Sequence, residues 1–68
     1  MEDEAKKLGD NLKKIRTDKN ITQTELARLL GVDKSFVSNI ENGKSNSTLS
    51  TMANIAKVLE ISIDKLLK

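Results

Sequence analysis

The sequence lacks most of the residues that brace a very small domain. Its 68 residues include no cysteine, no histidine and no proline, and its one aromatic residue is a phenylalanine. Without cysteine no disulfide forms, and without cysteine and histidine the commonest zinc ligands are missing, so we expect neither a structural metal nor a cofactor. A chain of this length buries only about 60% of the surface that its unfolded form exposes. Its stability must therefore come from tight helix packing or from a partner subunit.

A large charge excess and a long apolar run are also missing. Twelve basic and ten acidic side chains leave a formal net charge of +2, so any affinity for nucleic acid must come from the local placement of a few lysines and arginines. No apolar run is long enough to span a membrane, and no signal peptide opens the chain. These features predict a soluble, cytoplasmic protein that forms one domain over residues 1–68 and has no membrane partner.

Catalytic groupings are absent as well. Serine and threonine are numerous, but no histidine is present to activate them, and no spacing suggests that a lysine or a carboxylate does so instead. The lysines of the first helix form a nucleic-acid patch, a membrane-facing stripe or a solvated face paired with nearby acids, and the last interpretation is favoured. We therefore expect no enzymatic activity and no small-molecule ligand.

Apolar residues recur at helical spacing in five segments, and no stretch alternates long enough to indicate a strand. The predicted helices span about residues 2–19, 22–30, 33–42, 48–59 and 63–67, which indicates an all-α bundle with short connections. The residues expected to face the core are Ala5, Leu8, Leu12, Ile15, Leu26, Leu29, Leu30, Val37, Ile40, Leu49, Met52, Ile55, Ala56 and Leu59.

The second and third helices are joined by a tight turn. Thr22 and Glu25 form a capping box at the start of the second helix, and Gly31 supplies the positive φ angle that ends it. Asp33 is a good N-cap for the third helix, which Gly43 ends. Small polar residues cover the outer face of that third helix and have no evident partner within the chain. Two short helices with this turn and this face are typical of a helix-turn-helix unit, which usually reads DNA.

The positions that carry a family resemblance are Gln23-x-x-Leu26-Ala27, Gly31-Val32, Val37-Ser38-x-Ile40-Glu41-x-Gly43 and Ile55-Ala56-x-x-Leu59. Together they resemble the Cro/C1-type (XRE family) helix-turn-helix domain, which includes phage repressors and restriction–modification controller proteins. The resemblance covers about residues 8–67. It implies a compact, five-helix, lambda-repressor-like domain that binds operator DNA as a homodimer, with the third helix in the major groove.

The start of the third helix holds the candidate base-reading residues. Lys34 is the best candidate for guanine, whose O6 and N7 accept hydrogen bonds from a cation, whereas Ser35 bonds several bases and is less selective. Phe36 is placed to press on a thymine methyl group, and Asn39 to reach adenine or a phosphate. A lone aromatic residue in a small domain usually lies in the core. The apolar stripe of the third helix is complete without Phe36, however, which favours an exposed position.

The residues predicted to contact DNA phosphates are Thr22, Gln23, Ser38, Asn42, Lys44 and Asn46. The amino end of the second helix offers unpaired backbone amides and a positive dipole end, and Gln23 adds a side-chain amide there. Such contacts position the protein and read no sequence. The resemblance also implies a salt bridge between Arg16 and Glu41 that holds the third helix to the scaffold. The alternative for Arg16 is a phosphate contact, and the two roles can coexist.

The C-terminal apolar residues exceed what one small core obviously needs. Either all of them pack on the first and fourth helices, or some leave an exposed patch for a two-fold interface. The residues predicted for that interface are Leu59, Ile61, Ile63 and Leu67. The sequence therefore predicts a dimeric, sequence-specific transcriptional regulator that controls its own expression, as a restriction–modification controller or a phage-type repressor. The alternative is an antitoxin-like or protein-interaction module of the same fold.

Overall fold

A computed structural model describes residues 4–44 and 48–68. Over these ranges the chain forms five helices, and no strand is found in them. The helices are α1 (Glu4–Asp18), α2 (Gln23–Leu30), α3 (Lys34–Glu41), α4 (Leu49–Leu59) and α5 (Asp64–Leu67). The predicted all-α, five-helix class is confirmed, with helix ends within one or two residues of those expected wherever both ends are described.

Local signals set most helix boundaries as predicted. The Thr22 hydroxyl accepts from the Glu25 amide, and the Glu25 carboxylate accepts from the Thr22 amide, so the capping box is complete. Gly31 ends α2 in the left-handed region, with a φ of 73°. Thr48 caps α4 by accepting from the amide of Thr51. Asp33 is the N-cap residue of α3, as predicted, with the extended backbone of that position, but its side chain makes no capping hydrogen bond.

All five helices contribute residues to one hydrophobic core. Helix α1 packs on α3 and α5, and α2 packs on α3 and α4. The buried apolar residues are Ala5, Leu8, Leu12, Leu26, Ala27, Val37, Ile40, Ile55, Ala56, Leu59 and Leu66. Ile15, Leu30 and Met52 pack around this core and are partly buried.

Two residues predicted for the core lie at the surface. Leu29 is 56% exposed and Leu49 is 68% exposed. The inward face of α2 runs through Leu26, Ala27 and Leu30, and Leu29 falls beside it. Leu49 lies in the first turn of α4, whereas the buried residues of that helix are all in its second half. Among the described residues, no helix is long and apolar enough to cross a membrane.

Candidate nucleic-acid interface

The turn between α2 and α3 fixes how the two helices lie against each other. The backbone amide of Gly31 donates to the carbonyl of Arg28, and the amide of Val32 donates to the carbonyl of Ala27. Val37 and Ile40 are fully buried, so α3 is anchored by one face along its length. The opposite face of α3 is therefore held outward as a rigid surface.

The four predicted base-reading residues all lie on the exposed surface of α3. Lys34, Ser35, Phe36 and Asn39 are all exposed, and Phe36 retains 40% of its accessible surface. An open concavity runs along this side of α3 from the turn, and Ser35, Phe36 and Asn39 line it together with Asp33. Three of the predicted residues thus border one open hollow.

A buried ionic network holds the carboxyl end of α3 to α1. The Nε of Arg16 lies 2.6 Å from the Oε2 of Glu41, and its Nη2 donates to the Oε1 of Glu41 over 3.1 Å. A third arginine donor, Nη1, reaches the carbonyl of Ile21 over 2.7 Å. The Arg16 side chain is 10% exposed and that of Glu41 only 1%. This bidentate geometry matches the planar fork of arginine to a carboxylate. Three of the five N–H donors of Arg16 are used inside the protein, which places the predicted Arg16–Glu41 salt bridge in the structure.

Gln23 belongs to the same network, which sequence reasoning missed. Its Nε2 donates to the Oε1 of Glu41 over 2.9 Å, so this amide links the start of α2 to the end of α3. A side-chain amide carries two hydrogens, and one remains for a phosphate. The predicted phosphate residue therefore also acts inside the protein. No sequence signal distinguished the two uses, because the pairing joins residues far apart in the chain.

The other predicted phosphate residues lie at two places. Thr22 caps α2 beside the amino-terminal amides of that helix, which have no acceptor within the helix. Asn42 donates from Nδ2 to the Oγ of Ser38 over 3.3 Å near the carboxyl end of α3, and Lys44 is exposed just beyond it. Asn46 lies outside the described residues.

The predicted dimer residues are not equivalent. Leu59 is only 2% exposed, so its assignment to an interface is wrong: its side chain fills the core and offers nothing to a partner. Ile61 and Ile63 are partly buried and pack against the same core. Leu67 is 47% exposed and borders a hollow between α1 and α5 with Glu4 and Lys7. Of the four residues, Leu67 presents the largest exposed fraction.

Comparison with known proteins decides the family. A model of the helix-turn-helix family HTH_3 matches residues 12–66. The chain belongs to this helix-turn-helix family. This HTH_3 chain is 35% identical over 63 residues to the ImmF control region 10 kDa protein of Bacillus phage phi105, covering 93% of this chain and 70% of that protein. It is 35% identical over 60 residues to the control protein C.SmaI of Serratia marcescens, covering 88% and 71%.

A solved structure agrees with the same assignment. The restriction–modification controller protein C.AhdI from Aeromonas hydrophila superposes on this HTH_3 chain with a TM-score of 0.87 and 35% identity, covering 91% of this chain and 94% of that one. The lambda-repressor-like arrangement expected from the resemblance therefore holds for the whole bundle. The chain is a helix-turn-helix protein of the type found among phage and restriction–modification control proteins.

Two further matches bear on other functions of this fold. The antitoxin HipB of Escherichia coli K12 is 38% identical over 56 residues, covering 82% of this chain and 64% of that protein. Hydroxypropylphosphonic acid epoxidase from S. wedmorenis is 30% identical with a TM-score of 0.91, but the match covers only 36% of that enzyme. The HTH_3 fold thus also occurs as a minor part of a longer enzyme chain.

Proposed function

We propose that this protein is a sequence-specific DNA-binding transcriptional regulator that acts as a homodimer. Helix α3 lies in the major groove, and the two subunits contact half-sites about 10 bp apart on a pseudo-palindromic operator. The observation that carries the proposal is the exposed polar face of α3, because Val37 and Ile40 anchor its back and the Arg16–Glu41 pair holds its end. We also propose that residues 1–68 form a single domain that works in the cytoplasm.

The phosphate contacts form around α3. The amino end of α2 presents its first backbone amides and the second amide hydrogen of Gln23 to one phosphate. At the carboxyl end of α3, Asn42 and Lys44 contact the sugar–phosphate backbone. These contacts set the register of the protein on the duplex, while the side chains that read bases are those of Lys34, Ser35, Phe36 and Asn39. The Gln23–Glu41 hydrogen bond supports this division, because it ties the phosphate seat to the reading helix.

The regulator acts on its own gene. Support for this comes from its similarity to a phage control-region protein, to the control protein C.SmaI and to the restriction–modification controller C.AhdI. A small regulator of this kind sets its response through protein concentration, dimerisation and operator filling.

Selection from a random duplex library, with binding titrated at two salt concentrations, tests the proposed function. We expect enrichment of a palindrome with two half-sites about one helical turn apart, and a steep loss of affinity as salt rises. Salt-sensitive binding without any enriched sequence would contradict sequence-specific regulation.

The second candidate is an antitoxin-like or protein-interaction module, which the similarity to HipB favours. In that case the surface around Leu67 binds a different protein instead of a second copy of this chain. Affinity purification from the native host, followed by mass spectrometry, separates the two. A stoichiometric partner protein supports the module, whereas recovery of the homodimer alone favours the regulator.

Replacing Lys34 by alanine tests direct base reading. We expect specific binding to weaken by about 1–3 kcal/mol and base preference to relax at one operator position, because a cation bonded to guanine O6 and N7 discriminates among bases. The matched control is Gln23→Ala, which should weaken binding about equally for all sequences. Binding of single-base operator variants, measured by fluorescence anisotropy, checks both. Uniform weakening by Lys34→Ala would instead make this lysine a phosphate contact.

Replacing Leu67 by lysine tests the dimer surface. We expect the dimer to dissociate while the fold is retained, because Leu67 is largely exposed and a cation suits the end of a helix. Leu29→Lys is the matched control, since Leu29 is also exposed but lies on α2, away from the predicted interface. Sedimentation velocity without DNA measures the masses. An unchanged dimer mass for Leu67→Lys removes this residue from the interface.

A further inference from the structure

Asp33 is an exposed carboxylate at the start of α3 that the fold does not use. The corresponding residues of α2 and α4, Thr22 and Thr48, each accept a hydrogen bond from a backbone amide, but the Asp33 side chain makes no such bond. Within residues 4–44 and 48–68 its carboxylate has no ion pair either.

This carboxylate borders the hollow on the outward side of α3. Asp33, Ser35, Phe36 and Asn39 line that hollow, and Phe36 is 40% exposed. A negative charge there is repelled by the phosphates of a docked duplex unless it meets a hydrogen-bond donor. The site therefore brings together an unpaired acceptor and an apolar ring, both on the surface that the proposed function turns towards DNA.

The chemistry of the major groove selects one base for this pair. An ionised carboxylate only accepts hydrogen bonds, and the exocyclic amines of cytosine and adenine are the donors in that groove. Adenine presents its N7 acceptor beside N6, which repels a carboxylate, whereas cytosine presents N4 beside C5–H. Thymine offers a C5 methyl group to an aromatic ring but has the O4 acceptor in place of the amine. Phe36 alone therefore favours thymine, and Asp33 reverses that preference towards cytosine.

We propose that Asp33 is a specificity-determining residue that accepts a hydrogen bond from N4 of a cytosine in each half-site, with Phe36 against C5 of the same base. This inference rests on the proposed DNA-binding function and deepens it. A residue that served only as a helix cap would affect stability, whereas this role affects the ratio of affinities for cytosine and thymine at one operator position.

The test begins with the random-duplex selection, run with the wild type, Asp33→Asn and Asp10→Asn. Asparagine has nearly the shape of aspartate, is as good an N-cap, and both accepts and donates. Asp10→Asn makes the same change of charge on α1, away from the hollow. We expect one position of each half-site to favour cytosine in the wild-type and Asp10→Asn selections and to accept cytosine and thymine about equally with Asp33→Asn.

Titrations with three duplexes then isolate the hydrogen bond. The duplexes carry cytosine, 5-methylcytosine or thymine at the affected position, each opposite its complement. We expect the wild type to bind the 5-methylcytosine duplex at least as tightly as the cytosine duplex, because it keeps N4 and adds a methyl group for Phe36. The thymine duplex should bind about tenfold more weakly than the cytosine duplex, as the loss of one charge-assisted hydrogen bond implies. With Asp33→Asn the difference between the cytosine and thymine duplexes should fall below about twofold.

Several results would overturn the proposal. If 5-methylcytosine binds as poorly as thymine, the discrimination is against the methyl group and not for the N4 donor. If the Asp33→Asn selection matches that of the wild type, Asp33 acts only on the helix. In both cases an enriched operator would still support the proposed function as a sequence-specific regulator. If no variant enriches any sequence, the proposed function as a sequence-specific regulator is refuted, and so is the proposed contact between Asp33 and cytosine.

Discussion

Replacing Glu41 by glutamine should destabilise the domain by about 3–5 kcal/mol, because the change leaves the charge of Arg16 buried without its counter-ion. Three side-chain donors converge on this carboxylate, two from Arg16 and one from Gln23. A glutamine side chain replaces one acceptor oxygen with a donor and turns it towards these groups. Domains of this size have only a few kcal/mol of stability to lose. Urea unfolding followed by far-UV circular dichroism measures the loss.

The matched control breaks an ion pair that water already screens. Lys6 and Asp10 lie 3.4 Å apart with side chains 69% and 64% exposed, so Asp10→Asn should change the free energy of unfolding by less than about 0.5 kcal/mol. Replacing both members of the buried pair, with Arg16→Met and Glu41→Met, should cost less than Glu41→Gln alone, because no uncompensated charge is left. A loss below about 1 kcal/mol for Glu41→Gln would contradict a strong network and leave α3 held by apolar contacts alone.

The fold was largely predictable because its signals are local. The capping box of Thr22 and Glu25 and the left-handed Gly31 are each set by residues within a few positions of one another. The period of the apolar residues places Val37 and Ile40 inward for the same reason. Burial at the helix surface is harder to predict, because Leu29 and Leu49 fit the apolar pattern and lie where no neighbouring helix covers them. Hydrophobic periodicity describes one helix and says nothing of how far its neighbours extend.

The candidate site was predictable in position but not in its internal bonding. The outward face of α3 follows from the pattern, and Phe36 is exposed as the complete stripe beside it indicated. Two features depend on side-chain rotamers and on contacts between distant segments: Gln23 shares the carboxylate of Glu41, and the Asp33 side chain makes no capping hydrogen bond. Leu59 was misplaced for a similar reason. An apolar residue near the C-terminus is equally suited to a core and to an interface until the packing of α4 is known.

Replacing Gly9 by alanine should destabilise the domain by about 2–3 kcal/mol or more, although alanine is the better helix former by about 1 kcal/mol. Gly9 lies in α1 where that helix crosses the end of α3. A Cβ at this position overlaps the carbonyl oxygen of Ile40 and falls 2.7 Å from that of Glu41. Both are backbone atoms that cannot rotate aside, so α1 and α3 must move apart. That movement also stretches the Arg16–Glu41 pair, so DNA affinity should fall together with stability.

The control is alanine at Gly31, which separates steric overlap from backbone strain. A Cβ at Gly31 meets no atom within 4 Å, and only the left-handed φ of 73° opposes it, a cost of about 1–2 kcal/mol. Chemical denaturation of the two variants under identical conditions compares their free energies of unfolding. A larger loss of stability for Gly9→Ala than for Gly31→Ala would show that steric overlap where α1 crosses α3 costs more than backbone strain. If Gly9→Ala were as stable as the wild type, the two helices would have room for a side chain at the crossing. Glycine at position 9 would then not be required for α3 to bring Glu41 within reach of Arg16.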